Sequence, residues 1–265
     1  MPFTFVDFQN EIAAQLRLDI TNESNLATLV KRWINLTIQD IKSRTDWYWD
    51  QDREIVQTVI DKTAGTVSIS SGGTAVTGVS TAFASVDVGK YIQFSSSNDW
   101  YKITVYTSAT AITIESPYVA TTALSAGTYT IRKFYYSTSS SAEKILSITQ
   151  AISKQNIRLF HFKDFDQNVL FSDATGDPFI GALWGRDSSG NVQFALWPYA
   201  STAMNLEVRI NKTQADLSAN ADEPAMPNKW RYAIISGAIK RGLEYSRTSD
   251  GDRRAEGKGR EFEGI

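Results

Sequence analysis

Few residues of this chain have the types and the spacing that chemistry requires. The only histidine, His161, lies between Phe160 and Phe162, and a catalytic triad or a histidine metal site would need more partners. Asp164 and Asp166 could hold a cation, but two carboxylates without the rest of a calcium loop are more typical of loop caps. The chain has no cysteine, which excludes disulfides, thiolate metal sites and a thiol nucleophile.

Other chemical motifs give no positive signal. Gly176-Asp177-Pro178 predicts a turn, because no glycine-rich lysine motif accompanies it as a phosphate-binding loop would require. No serine lies in a G-x-S-x-G nucleophile elbow. Paired acids for glycoside hydrolysis cannot be nominated from spacing, since such pairs meet in space. We therefore expect no catalytic, cofactor-binding or metal-binding residues, and we expect the protein not to be an enzyme.

Aromatic residues are unusually abundant, with 7 Trp, 11 Tyr and 13 Phe, and they provide large contact surfaces. Trp100, Tyr101 and Tyr118 could stack on sugars, although packing in a core or at its rim is the plainer interpretation. The run Trp47-Tyr48-Trp49 predicts a plug in a core rather than a ligand platform.

Composition limits the class of protein further. A content of 42% hydrophobic and 21% charged residues is typical of a globular protein. The net charge of −2 argues against binding of nucleic acid through a broad positively charged surface. No apolar run reaches the roughly 20 residues that span a bilayer. The N-terminus lacks the features of a signal peptide. We expect a protein that is made in a reducing cytoplasm and does not bind membranes.

A helix predicted to begin near Lys229 has two apolar stripes on opposite sides of its wheel. One stripe comprises Trp230, Ile234, Gly237, Ala238 and Tyr245, and the other comprises Tyr232, Ile235, Ile239 and Leu243. Two stripes predict burial on two sides. Either the helix lies at the centre of a monomeric bundle, or one stripe faces a neighbouring subunit. The candidate interface residues are Trp230, Ile234, Ile235, Ile239 and Leu243.

The segment 246–265 is charged and rich in glycine. Ordering it would cost about 1–2 kcal/mol per residue. Its only large apolar residues, Phe262 and Ile265, return at most about 1.5–3 kcal/mol each on burial. We therefore expect this tail to be disordered unless a partner binds it.

Two helices are predicted near the N-terminus, followed by an abrupt change to Ser, Thr, Gly and β-branched residues. Thr4-Phe5-Val6-Asp7 predicts a capping box, and apolar residues from Leu26 to Ile41 repeat at helical spacing. Residues 62–136 predict an inserted six-stranded sandwich or barrel. Its expected strands are Thr66–Ser70, Ala75–Val79, Tyr91–Ser95, Tyr101–Tyr106, Ala111–Glu115 and Thr128–Phe134.

The predicted fold class is α+β. A helical bundle formed by the N- and C-terminal helices packs beside a small antiparallel sheet, which includes Lys144–Thr149, Asn191–Trp197 and Leu206–Ile210, and an all-β domain is inserted. The expected domains are an adaptor core (1–61 and 137–245), the insert (62–136) and the C-terminal tail (246–265).

The order of these features resembles the head-to-tail adaptor, or connector, proteins of short-tailed bacteriophages. The resemblance covers about two thirds of the chain and excludes the insert. The matching segments are Ile34–Trp49, Lys144–Ile148, Lys163–Asp166, Ala174–Pro178, Val192–Pro198, Leu206–Ile210, Asp222–Pro227 and Ile235–Ala238.

The resemblance implies a structural virion protein without catalytic residues. Such adaptors form a ring, usually of twelve subunits, between the portal and the tail, and DNA only passes through the lumen. The implied partners are the portal, tail nozzle or tail-fibre proteins, and other copies of the chain. The implied portal-docking residues of the tail are Arg253, Arg254, Lys258, Arg260, Phe262 and Ile265.

Two alternatives remain open at this point. The aromatic insert could make the protein a carbohydrate- or cell-wall-binding module of a phage tail. A wall-degrading enzyme with unrecognised acids is a third possibility.

Overall fold

A computed structural model describes residues 3–139, 141–169 and 173–262, with side chains described outside 167–169 and 247–262. The chain divides into two compact units. The helical unit comprises Met1–Gln51 and Lys212–Ile265, and the β unit comprises Asp52–Asn211. Helices α1, α2 and α4 belong to the helical unit, whereas the strands and α3 belong to the β unit, apart from the strand ends Gln51 and Lys212.

The helical unit contains α1 (Phe5–Leu16), α2 (Ser24–Ser43) and α4 (Arg231–Phe262). The predicted capping box is confirmed, because Asp7 accepts hydrogen bonds from the Thr4 amide at 2.8 Å and the Thr4 hydroxyl at 2.7 Å. The apolar stripe of α2 is buried against the other two helices. The core of the unit includes Phe5, Phe8, Ile12, Val30, Ile34, Ile38, Ile234, Ile235 and Ala238.

The β unit is built on a seven-stranded sheet, here called the host sheet. Its strand order is β1-β16-β10-β11-β13-β14-β9. The strands are β1 (Gln51–Gln57), β9 (Tyr135–Ser137), β10 (Ala142–Gln150), β11 (Asn156–Phe160), β13 (Ile180–Arg186), β14 (Val192–Trp197) and β16 (Asn205–Lys212). The short strands β12 (Thr175–Gly176) and β15 (Tyr199–Ala200) pair separately, and α3 (Phe162–Val169) contacts β13.

The host sheet curls until its two edges approach each other. Glu54 of the edge strand β1 accepts a hydrogen bond at 2.7 Å from the amide of Ser139, just beyond the opposite edge strand β9. The concave face is filled by alternating side chains of most strands, including Ile145, Ile157 and Phe194. The curl therefore gives one sheet an enclosed core.

The insert is a second curled seven-stranded sheet, here called the barrel. Its strands are β2 (Thr66–Ile69), β3 (Ala75–Val79), β4 (Tyr91–Phe94), β5 (Trp100–Ser108), β6 (Ala111–Ile114), β7 (Leu124–Gly127) and β8 (Tyr129–Arg132). Their order is β7-β2-β3-β6-β5-β4-β8, and only Thr128 separates β7 from β8. Residues 124–132 thus supply both end strands of the sheet, with β7 paired to β2 and β8 paired to β4, and this shared segment brings the two ends of the curled sheet together.

The first and last segments of the insert are hydrogen-bonded to each other. Lys62 and Ile131 exchange backbone hydrogen bonds of 2.9 and 2.8 Å, which bring the entry of the insert next to its last strand. The Lys62 amine also forms an ion pair with Asp87, whose carboxylate is fully buried and contacts Lys90 at 2.8 Å. The paired residues Lys62 and Ile131 are here called the neck of the barrel.

The predicted fold class is wrong. The structure is mostly β, with two seven-stranded curled sheets and four helices among the described residues, rather than a helical bundle with a small sheet. The host sheet is also not purely antiparallel, because β11 and β13 pair in parallel. Strands β1, β9, β11 and β13 of the host sheet were not predicted. The edge strand β1 has mostly polar residues, and β13 contains two glycines, so neither shows a clear alternation.

Candidate assembly surface

Helix α4 packs closely on the other two helices of its unit. A Cβ atom on Gly237 would collide with Cγ2 of Thr37 in α2, and one on Gly242 would lie 2.7 Å from Cδ1 of Leu16 in α1. Side chains larger than hydrogen at these two positions would push the helices apart. The two glycines therefore allow α1 and α2 of the same chain to approach α4 closely.

This packing accounts for three of the five candidate interface residues. Ile234 and Ile235 are buried in the core of the helical unit. Trp230 is half-buried, with its ring centroid 4.9 Å from that of Trp47 and 5.6 Å from that of Trp49. These three side chains contact their own chain, so the candidate interface is reduced to Ile239 and Leu243.

The remaining apolar residues form a continuous surface, here called the α4 stripe. It consists of Tyr232, Ser236, Ile239 and Leu243, whose spacing of four, three and four residues places them on one face of the helix. Tyr232 is 65% exposed and Leu243 is 53% exposed, whereas Ile239 is half-buried. The stripe is about 16 Å long, since a helix rises about 1.5 Å per residue.

The polar atoms of the α4 stripe have partners within the helix. Arg231 donates a 2.9 Å hydrogen bond to the Tyr232 hydroxyl, and its guanidinium lies 4.7 Å from the centre of that ring. The Ser236 hydroxyl donates to the Tyr232 carbonyl at 2.7 Å. The stripe can therefore lose its water without leaving these groups unpaired. Its chemistry is that of apolar contact.

All six tail residues predicted to dock on the portal lie beyond the described side chains. Helix α4 continues to Phe262, so the tail that was expected to be disordered alone is helical in this structure. The side chains of Arg253, Arg254, Lys258, Arg260 and Phe262 are outside the described set, and Ile265 is outside the described residues altogether.

The three aromatic residues considered for sugar stacking, Trp100, Tyr101 and Tyr118, pack against their own chain. Tyr101 and Tyr118 are buried inside the barrel. Trp100 packs edge to face on Phe134, with ring centroids 4.9 Å apart, and the guanidinium of Arg132 lies 5.0 Å from the Trp100 ring. The three side chains thus have packing roles, which is the plainer of the two interpretations of the sequence.

Arg132 joins the barrel to the rest of the β unit. Its guanidinium contacts Asp61 through two nitrogens, the shortest distance being 2.6 Å, and donates to Asp173 at 2.9 Å. The centre of the Tyr199 ring lies 4.3 Å from the guanidinium carbon. Burial would lower the pKa of Arg132, but Asp61 and Asp173 raise it, so the side chain remains charged. We call this set of contacts the Arg132 clamp.

The residues considered for metal binding do not come together. The Nδ1 atom of His161 accepts a 3.4 Å hydrogen bond from the Lys163 amide, and its ring lies 4.5 Å from that of Phe162. Asp164 and Asp166 lie on α3 rather than in the predicted loop. Within the described ranges, no group of three or more acidic or histidine side chains could hold a metal ion. The same ranges include no helix that is both long and apolar enough to span a bilayer.

Sequence reasoning missed two surface features. Ser236 was not assigned to a stripe because it is polar, although its hydroxyl is bonded back to the helix. Ile152 was not singled out, although it lies in the turn after β10 and is 92% exposed.

Comparisons with known proteins add no family. Neither a scan against protein-family models nor a search of curated proteins finds a match for the chain.

Proposed function

We propose that this protein is a structural component of a virion, a ring-forming head-to-tail adaptor that docks on the portal and offers an attachment surface to the tail. In this proposal it is not an enzyme and uses no cofactor. Its partners are further copies of itself, the portal protein, and tail nozzle or tail-fibre proteins. DNA only passes through the lumen, and the protein is located at the neck of the virion.

The α4 stripe is the observation on which the proposal rests. Helix α4 already buries Ile234, Ile235 and Ala238 in its own core, yet it also exposes Tyr232 and Leu243 on another face. Burying a complete leucine side chain contributes about 1.5–3 kcal/mol, so the exposed half of Leu243 leaves about 1 kcal/mol available to a partner. A neighbouring subunit that covers the whole stripe would gain that contribution and the larger one from Tyr232.

The sequence and the fold support the proposal in two further ways. The motifs that resemble adaptor proteins follow one another in the same order along two thirds of the chain. The rival carbohydrate-binding function loses its main argument, because Tyr101 and Tyr118 are inside the barrel and Trp100 is stacked under Arg132.

The assembly test combines light scattering with electron microscopy, with and without portal protein. Leu243→Glu places a charge in the α4 stripe and should leave the chain folded while preventing ring assembly, because the desolvated carboxylate would have no partner. Val105→Glu is the matched control, since Val105 is 49% exposed and lies on the barrel. Circular dichroism checks that both variants fold. A wild-type protein that stays monomeric with portal present would contradict the proposal, and binding to a glycan array would favour the rival.

The proposed portal contact is the C-terminal tail. Arg253, Arg254, Lys258 and Arg260 would meet carboxylates of the portal, and Phe262 and Ile265 would enter apolar clefts. Truncation after Tyr245 should abolish binding to the portal, measured by co-sedimentation, and leave the thermal unfolding of the β unit unchanged. Unchanged affinity of the truncated protein would rule out the tail as the docking segment.

A further inference from the structure

The outer face of the host sheet carries arginines that the proposed function does not use. Residues of a strand alternate between the two faces of its sheet. Val208 on β16 and Ile157 on β11 lie in the enclosed core, so the next residues, Arg209 and Arg158, lie on the outer face. Both arginines are exposed, and so is Arg53 on the edge strand β1.

Backbone hydrogen bonds fix the register between β1 and β16. The Thr58 amide donates to the Met204 carbonyl at 2.9 Å, and the Lys212 amide donates to the Asp50 carbonyl at 2.8 Å. In both pairs the residue numbers add up to the same value, as they do in antiparallel strands that pair without a net bulge. Each residue between these two bonds therefore has a defined partner on the other strand.

This register places Arg53 directly opposite Arg209. The Cβ atoms of residues that face each other in this way are about 4.5–5.5 Å apart, and like charges in such a pair destabilise the sheet. Arg53 lies 3.6 Å from the carboxylate of Glu207, whereas Arg209 forms no ion pair with the described part of the chain. The pair thus has no benefit for folding, and an anion from outside the chain would relieve its repulsion.

The same row of residues continues across β10 to β11. The Ala151 amide donates to the Asn205 carbonyl at 2.9 Å. From this bond, β10 and β16 overlap over their observed ranges only as antiparallel strands, which places Ser147 beside Arg209. On the other side of β10, the register with β11 places Arg158 beside Ser147. Since neighbouring strands are about 4.8 Å apart, the row is about 14 Å long. It is here called the arginine row and consists of Arg53, Arg209, Ser147 and Arg158.

The surface around the arginine row has an excess of positive charge. The Glu207 carboxylate lies 3.2 Å from the amine of Lys154 and 3.6 Å from the guanidinium of Arg53, so one carboxylate is shared by two cations. Arg209 and Arg158 have no carboxylate within ion-pair distance in the described ranges. Four cations and one carboxylate leave three positive charges on this face. Such a face is complementary to an anion with several charges in a line.

The residue types of the arginine row favour nucleic acid over a protein partner. The centre of a protein–protein interface is rich in aromatic and apolar residues, and the row contains none. Phosphate groups of nucleic acids are bound by arginine together with serine, threonine and asparagine. Thr149 and Asn156, which pair next to Ser147 and Arg158, add the last two of these types. The row contains no ring on which a base could stack, so the phosphates are its ligand.

We infer that the arginine row binds the phosphate backbone of nucleic acid without reading its sequence. This goes beyond the proposed function, in which DNA only passes through the lumen. All residues of the row belong to one chain, so the binding does not depend on a ring. A curled sheet presents the row on its convex face, which limits the contact to about one phosphate per guanidinium. The binding is therefore weak and depends strongly on salt.

Fluorescence anisotropy of a labelled DNA duplex of mixed sequence tests the inference, with the full chain titrated at salt concentrations from about 50 to 200 mM. Three neutralised phosphates predict a slope of about −2.7 for the logarithm of the binding constant against that of the salt concentration. Arg209→Gln should make the slope shallower by about 0.9 and weaken binding about eightfold at about 0.1 M salt, because one counterion fewer is released. Thermal unfolding of this variant should occur at the same temperature as wild type or slightly higher, because the like charge opposite Arg53 is removed.

The matched control is Arg32→Gln at an exposed position of α2. It changes the net charge of the chain by the same amount, and the affinity for the duplex should stay within about twofold of wild type, since exposed charges that are far apart are screened by salt. Glu207→Gln should act in the opposite direction and strengthen binding, because it removes the carboxylate that Arg53 and Lys154 share. A merely structural role of the row would not produce this reversal of sign.

The outcomes separate this inference from the proposed function. Absence of binding to the duplex at the lowest salt concentration, or equal losses from Arg209→Gln and Arg32→Gln, would overturn the inference and leave the adaptor proposal standing. Polyglutamate that competes as well as the duplex at equal charge would assign the row to an acidic protein surface and overturn the choice of nucleic acid. Binding with the predicted salt slope by a protein that forms no ring with portal would support the inference and contradict the proposed function.

Discussion

The buried carboxylate of Asp87 provides the sharpest test of what holds the inserted barrel together. Asp87 is fully buried and accepts hydrogen bonds from the amines of Lys62 and Lys90 and from the Ala84 amide. Lys62 belongs to the neck of the barrel, so the Asp87 carboxylate connects the neck to the rest of the barrel. Asp87→Ala removes the charge and leaves three donors without their acceptor.

The expected loss is large because the ion pair is buried. Removing one partner of such a pair costs about 3–5 kcal/mol. The Lys62 side chain is 26% exposed and that of Lys90 is 11% exposed, so both amines can recover some hydration. We therefore expect a decrease of about 3 kcal/mol in the opening free energy of the barrel. Native-state hydrogen exchange of the amides in β4 and β5 measures this quantity directly.

The matched control is Glu115→Ala on the same barrel. Glu115 and Lys102 form an ion pair of 3.7 Å in which both side chains are well exposed to water. Exposed pairs contribute about 0–1 kcal/mol. Equal effects of the Asp87 and Glu115 changes on the opening free energy would refute the assignment of a structural role to the buried pair.

The pH dependence gives a second check with a definite sign. Burial alone would raise the pKa of Asp87, but hydrogen bonds from Lys62, Lys90 and Ala84 outweigh it and hold that pKa below its ordinary value of 3.8. The ionised folded form is therefore favoured. Its contribution is complete above the unfolded pKa and is lost as the pH falls through the lower folded pKa. The difference between wild type and Asp87→Ala should be constant above about pH 5 and shrink in stronger acid. A difference that stays constant down to pH 2 would contradict this account.

Two further predictions concern packing. Arg132→Met removes the Arg132 clamp and should lower the free energy of unfolding by about 3 kcal/mol in urea denaturation, because the buried charge network loses its only cation among the described contacts. The control is Arg158→Met at an exposed position, which should lower the free energy of unfolding by less than about 0.5 kcal/mol. Equal effects of the two changes would argue against the clamp. Gly237→Ala should destabilise the helical unit by about 1–3 kcal/mol through its collision with Thr37. Thr37→Ser removes the colliding methyl group and should recover most of that loss, whereas a double variant no more stable than Gly237→Ala would show that the collision is not the cause.

Some elements were predictable because their residues repeat with a clear period. The apolar spacing of α2 and the alternation in β2, β3 and β6 fixed these elements to within one or two residues. How the two ends of the barrel sheet meet could not be predicted from local pattern. The final strand was predicted as one segment from Thr128 to Phe134, and the strand β7 was not predicted. The bend around Thr128 joins two ends of a sheet, and this pairing involves residues distant in sequence.

The host sheet shows where local pattern gives no information. Strand β1 is polar along most of its length, yet it pairs with β16, which follows about 150 residues later in the chain. Strand β13 is interrupted by Gly181 and Gly185, with an irregular register at the second glycine. Edge strands and bulged strands are stabilised by their neighbours rather than by their own alternation. The size of this sheet was therefore underestimated.

The sequence alone determined the absence of cysteine and the two apolar sides of α4. Only the tertiary structure decided which side of α4 is covered by its own chain, because the covering residues on α1 and α2 lie about 200 positions earlier. It likewise decided that Tyr101 is inside the barrel and that Ile152 is exposed in the turn after β10. Periodicity records which face of an element is apolar, whereas burial depends on distant segments that cover that face.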